Sequence, residues 1–186
     1  MTVIFRLPVI FVLMEEIVNR VQNSGLLAVD LADYLPKPSE MSEFDFAPRL
    51  WNGLILKEKD FRDFLASHDW SVYNGKHVYL HCTADAILPS WAFMIVSSRL
   101  IGIARTITVG SLQDAKQMAM TQAIGELNAD DFKDGKLIIK GCSDIPNPEA
   151  LMSLFLQKVQ PVSASIMYGE PCSTGPIFKR PKPKAV

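Results

Sequence analysis

The amino-acid sequence predicts an α/β fold: a single three-layer domain with a mostly parallel sheet and helices on both faces. The main observation is that short apolar and β-branched runs alternate with longer segments of helical spacing from Lys76 onward, as in βα units. A length of 186 residues and a hydrophobic content of 48% suit one domain with a large core. Helix-start signals at Pro89, Ser111 and Pro148 agree with this alternation.

The first part of the chain predicts three elements before the regular alternation begins. Ile17, Val18 and Val21 have helical spacing, which predicts a helix over Glu15–Val21. Residues 26–30 form a short strand-like run. Residues 57–67 place their apolar side chains on one helical face, which predicts an amphipathic helix.

The following part predicts alternating strands and helices. Ser111 and Asp114 resemble a capping box, in which a hydroxyl and a carboxylate bind each other's backbone N–H groups at a helix start. The predicted strands are 76–82, 105–109, 136–140 and 162–167, and the predicted helices are 89–101, a segment from 112 to about 127, and 148–159. The apolar stripe expected on the second helix consists of Leu112, Ala115, Met118, Ala119, Ala123 and Leu127.

Composition and charge exclude several classes of protein. The chain has 19 Lys and Arg against 20 Asp and Glu, a net charge of −1, whereas nucleic-acid binders usually have a basic excess. No run approaches the roughly 18–20 apolar residues that a membrane span needs. Three cysteines without a convincing export signal favour a reducing compartment over a disulfide framework. We therefore expect a cytoplasmic protein that binds neither nucleic acid nor membrane.

The same patterns suggest where the domain begins and ends. Residues 1–13 are apolar but have no partner in the βα series, so they are expected to be an N-terminal extension or an edge strand. Residues 14–178 are expected to form the α/β domain. Residues 179–186 contain four basic side chains and are expected to be a solvated basic tail.

Two stretches sixty residues apart share one design, and each contains a cysteine. They run from Asn74 to Asp85 and from Asp134 to Asp144. Each has a turn dipeptide, a lysine and a short strand, and a cysteine comes seven residues after the glycine of the turn. In each, a hydroxyl residue follows the cysteine and an aspartate comes within three positions. Two of the three cysteines, Cys82 and Cys142, therefore occupy matching positions.

This repeat leads to a geometric expectation. Parallel strands of equal length that begin at matching turns end at the same edge of a sheet. If strands 105–109 and 136–140 flank strand 76–82, a crevice opens at the carboxyl ends, where open α/β sheets bind ligands. Neighbouring strands are about 4.8 Å apart, so Cys82 and Cys142 would be close enough to share a ligand. Cys172 lies in the Gly- and Pro-containing segment 168–176, which is expected to be a loop folded over that crevice.

Three thiolates at one site would suit a metal or an iron–sulfur cluster, because thiolates are soft ligands. Cys82, Cys142 and Cys172 would hold a 4Fe–4S cluster with one open iron, or zinc with a fourth ligand. The oxygen ligands expected nearby are Asp85 and Asp144, with Glu170 as a further candidate for the fourth position.

Other interpretations of the same residues remain open. One is metal-free thiol chemistry, in a cysteine-dependent enzyme or a sulfur carrier, with a thiolate activated near a helix start. Another is an α/β binding domain in which the cysteines are small buried side chains. Asp85 and Asp144 have an alternative role as caps of the helices that follow them. The sequence does not decide whether the protein is an enzyme.

Several segments resemble one known family. They are NSGL, GLILKEKDFRDF, HDWS, CTADAILPSWAF, KGCSDIP and MYGEPCSTGPIFKR. They are similar to an uncharacterised bacterial family, domain of unknown function 2480, over about residues 15–180. The family supplies no catalytic residues. Its association with iron–sulfur assembly genes implies iron–sulfur assembly proteins as expected partners.

Overall fold

The alternation of strands and helices is confirmed in a computed structural model, which describes residues 25–141, 144–170 and 173–181. Within these ranges the strands are β1 Leu26–Val29, β2 Met41–Asp45, β3 His77–His81, β4 Thr106–Val109, β5 Lys136–Ile139, β6 Ser165–Glu170 and β7 Ser173–Lys179. The α-helices there are α1 Glu58–Ser67, α2 Ser90–Leu100, α3 Leu112–Glu126 and α4 Pro148–Val159. The helix expected over Glu15–Val21 and the extension over residues 1–13 lie outside the described residues.

The strands form two sheets rather than one. A four-stranded sheet has the order β1-β5-β6-β7, in which only β7 is antiparallel to its neighbour, and a three-stranded parallel sheet has the order β2-β3-β4. The fold class is therefore α/β with mostly parallel strands, as predicted. The expected strand order is wrong: β3 lies between β2 and β4, and β5 belongs to the other sheet.

Strand β2 explains that error, because it occupies the place beside β3 that the sequence analysis gave to β5. It was missed because only one of its five side chains, Phe44, is buried. Side chains alternate between the faces of a strand. Phe44 therefore points into the core, while Met41, Glu43 and Asp45 share the other face.

Each sheet has its own apolar core. In the three-stranded sheet, Val78 and Leu80 of β3 pack with residues of α1 and α2, including Phe61, Leu65 and Val96. The core of the four-stranded sheet contains apolar side chains from its strands and from both α3 and α4: Val29, Leu137, Ile139, Ile166, Met120, Ile124, Leu151 and Phe155 are among them.

Helix α3 connects the two sheets. It begins with the expected capping box: the Asp114 N–H donates to Ser111 Oγ at 3.3 Å, and the Ser111 N–H donates to Asp114 Oδ2 at 2.7 Å. The helix packs on β3 and β4, and its Met120 is buried in the core of the four-stranded sheet. The expected apolar stripe is partly wrong, because Met118 is 45% exposed whereas Met120 is fully buried.

The segment expected to be a loop after the last strand is instead mostly a strand. Residues 173–179 form β7, which pairs with β6 through a register shift between Ile166 and Met167. The described part of segment 168–176 is therefore strand and not loop, and Cys172 itself lies outside the described residues. The first two residues assigned to the tail are also bound: Lys179 ends β7, and Arg180 donates hydrogen bonds to the Asp134 carboxylate and the Val162 carbonyl.

Within the part of the chain that the structure describes, no helix combines the length and apolar character needed to cross a membrane.

The position of α3 predicts different effects for two methionines of the same helix. Met120→Ala should lower the free energy of unfolding by about 2–5 kcal/mol, because it leaves a cavity in a fully buried position. Met118→Ala, the matched control, should change it by less than about 1 kcal/mol, because 45% of the Met118 surface is already exposed. Urea unfolding monitored by circular dichroism measures both values. Equal losses in the two variants would contradict this assignment of the buried face.

Candidate functional site

The three-stranded sheet has one apolar face and one polar face. Val78 and Leu80 point into the core, so the alternate residues of β3 point toward the face on which α3 packs. Those alternate residues are His77, Tyr79 and His81. In the parallel register Glu43 lies beside Tyr79, and Asp45 lies beside His81. Polar side chains from two strands therefore collect toward the carboxyl end of this face.

Three of these side chains form a hydrogen-bonded group, which we name the Glu43 cluster: Glu43, Tyr79 and His81. Tyr79 donates its hydroxyl proton to Glu43 Oε2 at 3.1 Å, and His81 Nε2 lies 3.0 Å from the same oxygen. Burial raises the pKa of Tyr79, and the hydrogen bond to Glu43 and its negative charge raise it further. Among the described residues, the other carboxylate oxygen of Glu43, Oε1, has no hydrogen-bond partner.

Two members of the Glu43 cluster, Glu43 and Tyr79, line a groove, which we name the Glu43 groove. Its volume is about 410 Å³, within the usual range of about 300–1,000 Å³ for ligand pockets. Its lining comes from the segment after β1, from β2 and β3, and from the first turns of α3. The lining residues are Leu35, Pro36, Pro38, Met41, Ser42, Glu43, Tyr79, Leu112 and Lys116. The groove therefore combines a mostly apolar wall with a small number of polar groups.

Lys116 is the basic residue of this lining. It lies in the second turn of α3 and is half-buried. In the described ranges it forms no salt bridge, either with Glu43 or with another carboxylate. The groove thus has a carboxylate on its strand side and an ammonium group on its helix side, and the two do not neutralise each other by contact.

A second groove of similar volume, about 430 Å³, lies between α4 and β7. Its charged lining residue, Arg180, already pairs with Asp134. Its other polar lining residues are Ser153, Gln157 and Gln160. It has no group of hydrogen-bonded titratable side chains comparable with the Glu43 cluster, so we regard the Glu43 groove as the better candidate.

Cys82 lies on the opposite side of β3 from the Glu43 cluster. It directly follows His81, and it is half-buried against the apolar core of the three-stranded sheet. The residue after it is held firmly: the Thr83 N–H donates to Asp45 Oδ1 at 3.0 Å, and the Thr83 hydroxyl donates to Asp45 Oδ2 at 2.6 Å. Asp45 therefore fixes the chain immediately after Cys82.

The hydrogen bonds at Asp45 also change its titration. Burial acts to raise the pKa of Asp45, but the bonds from Thr83 and from the Ala47 N–H, together with the nearby His81, outweigh it. The net result is a pKa below the ordinary value of 3.8. The carboxylate is therefore held in its charged form.

A related arrangement occurs at the end of β1 in the other sheet. Asp30 accepts a hydrogen bond from the Ala32 N–H at 2.9 Å, as Asp45 does from the Ala47 N–H at 2.9 Å. Asp30 also lies 3.2 Å from the Lys140 ammonium group, and its hydrogen bond and charge raise the pKa of Lys140. The edge strands β1 and β2, which pair with β5 and β3, therefore end in the same kind of turn.

The sequence contains a signal for this match that the cysteine repeat alone does not include. Asp-Leu-Ala at residues 30–32 and Asp-Phe-Ala at residues 45–47 have the same pattern, and their central residues, Leu31 and Phe46, are both fully buried. The strand pairs are also equivalent, since β1 pairs with β5 and β2 pairs with β3. The repeat around Cys82 and Cys142 therefore extends to the neighbouring strand in each sheet.

The predicted cysteine site has a mixed outcome. Its geometric premise is wrong, because the strands that precede Cys82 and Cys142 belong to different sheets. Cys142 and Cys172 lie outside the described residues, so the convergence of the three thiolates stays a prediction. Among the residues that are described, no group of three or more His, Cys, Asp or Glu side chains is placed to hold a metal ion.

The predicted capping roles of Asp85 and Asp144 are wrong. Helix α2 has Pro89 as its N-cap and α4 has Asn147, and neither position makes a side-chain capping bond. Both helices begin later than the aspartates: Pro89, just before α2, has an extended conformation, and Asn147, just before α4, adopts a left-handed conformation with φ 46°. Asp85 and Asp144 therefore lie in the loops between strand and helix, and their roles as metal ligands stay predictions.

The fold and this groove define a class: an α/β domain with a candidate ligand site on the polar face of a parallel sheet. The chain belongs to the DUF2480 family, described as a protein of unknown function, whose family model matches residues 15–180. Neither the curated proteins nor the solved structures contain a significant match to this chain.

The contacts of Asp45 predict a pH-dependent stability. Because the pKa of Asp45 is lowered in the folded protein, its contribution is complete above the ordinary value of 3.8 and is lost as the pH falls through the lower folded pKa. Asp45→Asn should therefore lower the free energy of unfolding by about 1 kcal/mol near neutral pH, by weakening charge-assisted hydrogen bonds. The difference in the free energy of unfolding between the wild-type protein and Asp45→Asn should shrink as the pH falls below 3.8, the ordinary pKa of Asp. Urea unfolding at several pH values measures it.

The matched control is Asp63→Asn on α1. The Asp63 side chain is exposed and makes no hydrogen bond within the described part of the chain. Replacing Asp63 should change the free energy of unfolding little at any of these pH values. A loss in Asp45→Asn that stays constant from neutral to acidic pH would show that the charge of Asp45 does not stabilise the fold.

Proposed function

We propose that this protein is a small-molecule-binding α/β domain and that its ligand occupies the Glu43 groove. The observation that carries the proposal is that Glu43, held by hydrogen bonds with Tyr79 and His81, lines together with Tyr79 a groove with otherwise mostly apolar walls. Ligand sites combine these two features, because an apolar wall supplies contact area and a few fixed polar groups supply orientation.

A purely structural role explains the Glu43 cluster poorly. The Glu43 side chain is 59% exposed, and exposed ion pairs contribute only about 0–1 kcal/mol to stability. Tyr79 and His81 are half-buried, and their bonds to Glu43 occupy only one of its two carboxylate oxygens. The other oxygen, Oε1, bonds to no described residue, so it can accept a hydrogen bond from a ligand in the groove.

The same cluster is compatible with catalysis. A carboxylate within hydrogen-bond distance of an imidazole can take part in general acid–base chemistry when a substrate is placed beside it. The binding proposal includes this case, since an enzyme would use the same groove. It does not depend on any of the three cysteines.

The proposal predicts where small molecules bind. In a fragment screen by protein NMR, hits should shift the amide signals of Ser42, Tyr79 and Leu112. Leu112→Gln should weaken those hits about tenfold, or about 1.4 kcal/mol, because it removes part of the apolar wall. Leu54→Gln is the matched control, since Leu54 is 63% exposed and lies outside the groove lining. Hits that avoid these signals, or that bind Leu112→Gln unchanged, would overturn the proposal.

A second candidate function is a thiolate-bound zinc or iron–sulfur site formed by Cys82, Cys142 and Cys172. The sequence repeat supports it, and so does the firm attachment of Thr83 to Asp45, which holds the chain beside Cys82. Asp85 and Asp144 would be the nearby oxygen ligands. This candidate keeps the expected cytoplasmic location, where thiols stay reduced, and keeps iron–sulfur assembly proteins as partners.

The cysteine candidate predicts metal in protein purified without oxygen. Iron with acid-labile sulfide would support a cluster, and stoichiometric zinc would support the zinc form. Each single Cys→Ser variant should lose most of the metal, because two thiolates bind it poorly. Glu43→Gln is the control and should keep its metal. Metal-free wild-type protein would reject this candidate, and metal retained in Cys172→Ser would remove that residue from the site.

A further inference from the structure

We propose that the Glu43 groove binds a small zwitterion: an apolar body with an ammonium group, held by Glu43, and a carboxylate, held by Lys116. This inference rests on the proposed function, since it names the class of ligand for the same groove. It follows from the charges in the lining and from what those charges already contact.

The first step concerns Glu43. Its Oε2 accepts a hydrogen bond from the Tyr79 hydroxyl and lies within hydrogen-bond distance of His81 Nε2. These two neighbours hold the carboxylate in place. Its Oε1 has no hydrogen-bond partner among the described residues. A carboxylate only accepts hydrogen bonds, and its strongest partners are charged donors. The open oxygen beside the groove therefore fits a ligand ammonium group.

The second step concerns Lys116, which reaches the same groove from α3. An ammonium group donates hydrogen bonds and accepts none, so its charged partner must be an anion. Within the described ranges no carboxylate pairs with it, and Glu43 does not. Two opposite charges that line one groove without meeting are complementary to a ligand with opposite charges at its two ends.

The third step excludes a strongly anionic ligand such as a nucleotide. A polyphosphate in the groove would lie near the Glu43 carboxylate, and like charges at short range repel. The start of α3 is also occupied, because the Asp114 carboxylate and the Ser111 hydroxyl already form the capping box. Leu35, Pro36 and Met41 add an apolar wall that suits a hydrocarbon or aromatic body.

A matched set of probes separates these contributions. They share one ring: para-(aminomethyl)benzoate carries both charges, benzylamine the ammonium group, benzoate the carboxylate, and benzyl alcohol neither. Calorimetric titration of the full chain should give the zwitterion a Kd at least tenfold lower than that of each other probe. NMR shifts at Tyr79 and Leu112 confirm that each probe occupies the groove.

Variants assign each charge to its residue. Glu43→Gln should reduce the affinity for the zwitterion to that for benzoate, and Lys116→Met should reduce it to that for benzylamine. Lys116→Arg should largely restore the affinity, because it keeps the positive charge. Lys59→Met, an exposed lysine of α1 outside the groove, is the control and should change nothing. Thermal unfolding of each variant verifies that the fold is kept.

The outcomes distinguish this inference from the proposed function. If all four probes bind in the groove with similar Kd, or if the neutral probe binds best, the zwitterion is rejected while the ligand groove stands. If neither the probes nor the fragment hits shift groove signals, the proposed function fails and this inference fails with it. A tenfold preference for the zwitterion that survives both Glu43→Gln and Lys116→Met would also reject it.

Discussion

The structure depends on the requirement that helix α3 be buried against both sheets. Its small residues Ala115 and Ala119 are buried and permit a close approach to β3 and β4, while Met120 and Ile124 lie in the core of the four-stranded sheet. A helix that is buried on more than one side gains its stability from packing rather than from propensity. The two sheets share no strand, so this helix provides much of the contact between their cores.

The candidate site is a consequence of how α3 covers the three-stranded sheet. The apolar face of that sheet is covered by α1 and α2, but the opposite face contains His77, Tyr79 and Glu43 and cannot be packed as an ordinary core. Buried polar groups need partners, so such a face stays partly open or forms its own hydrogen bonds. Around Glu43 and Tyr79 it does both, and the opening is the Glu43 groove.

Sequence reasoning predicted the elements with a strong period and missed those without one. From β3 onward, apolar strands and amphipathic helices alternate clearly, and the capping box at Ser111 is formed as expected. Strand β2 was missed because Phe44 is its single buried side chain, and the wrong strand order followed from that omission. The Glu43 cluster was also missed. Tyr79 and His81 share a strand face by their spacing, but their partner Glu43 lies 36 and 38 residues earlier, and only the register of β2 brings it there.

Helix α3 links the Glu43 groove to the core of the four-stranded sheet, because it contributes Lys116 to the first and Met120 to the second. Lys116 and Met120 are one turn apart on the same side of the helix, so the helical backbone fixes the spacing between the two positions. Met120 is buried in the core of the four-stranded sheet, so the packing of that core sets where the backbone of Lys116 lies. The shape of the groove therefore depends on the packing of a core that contains none of the groove's strands.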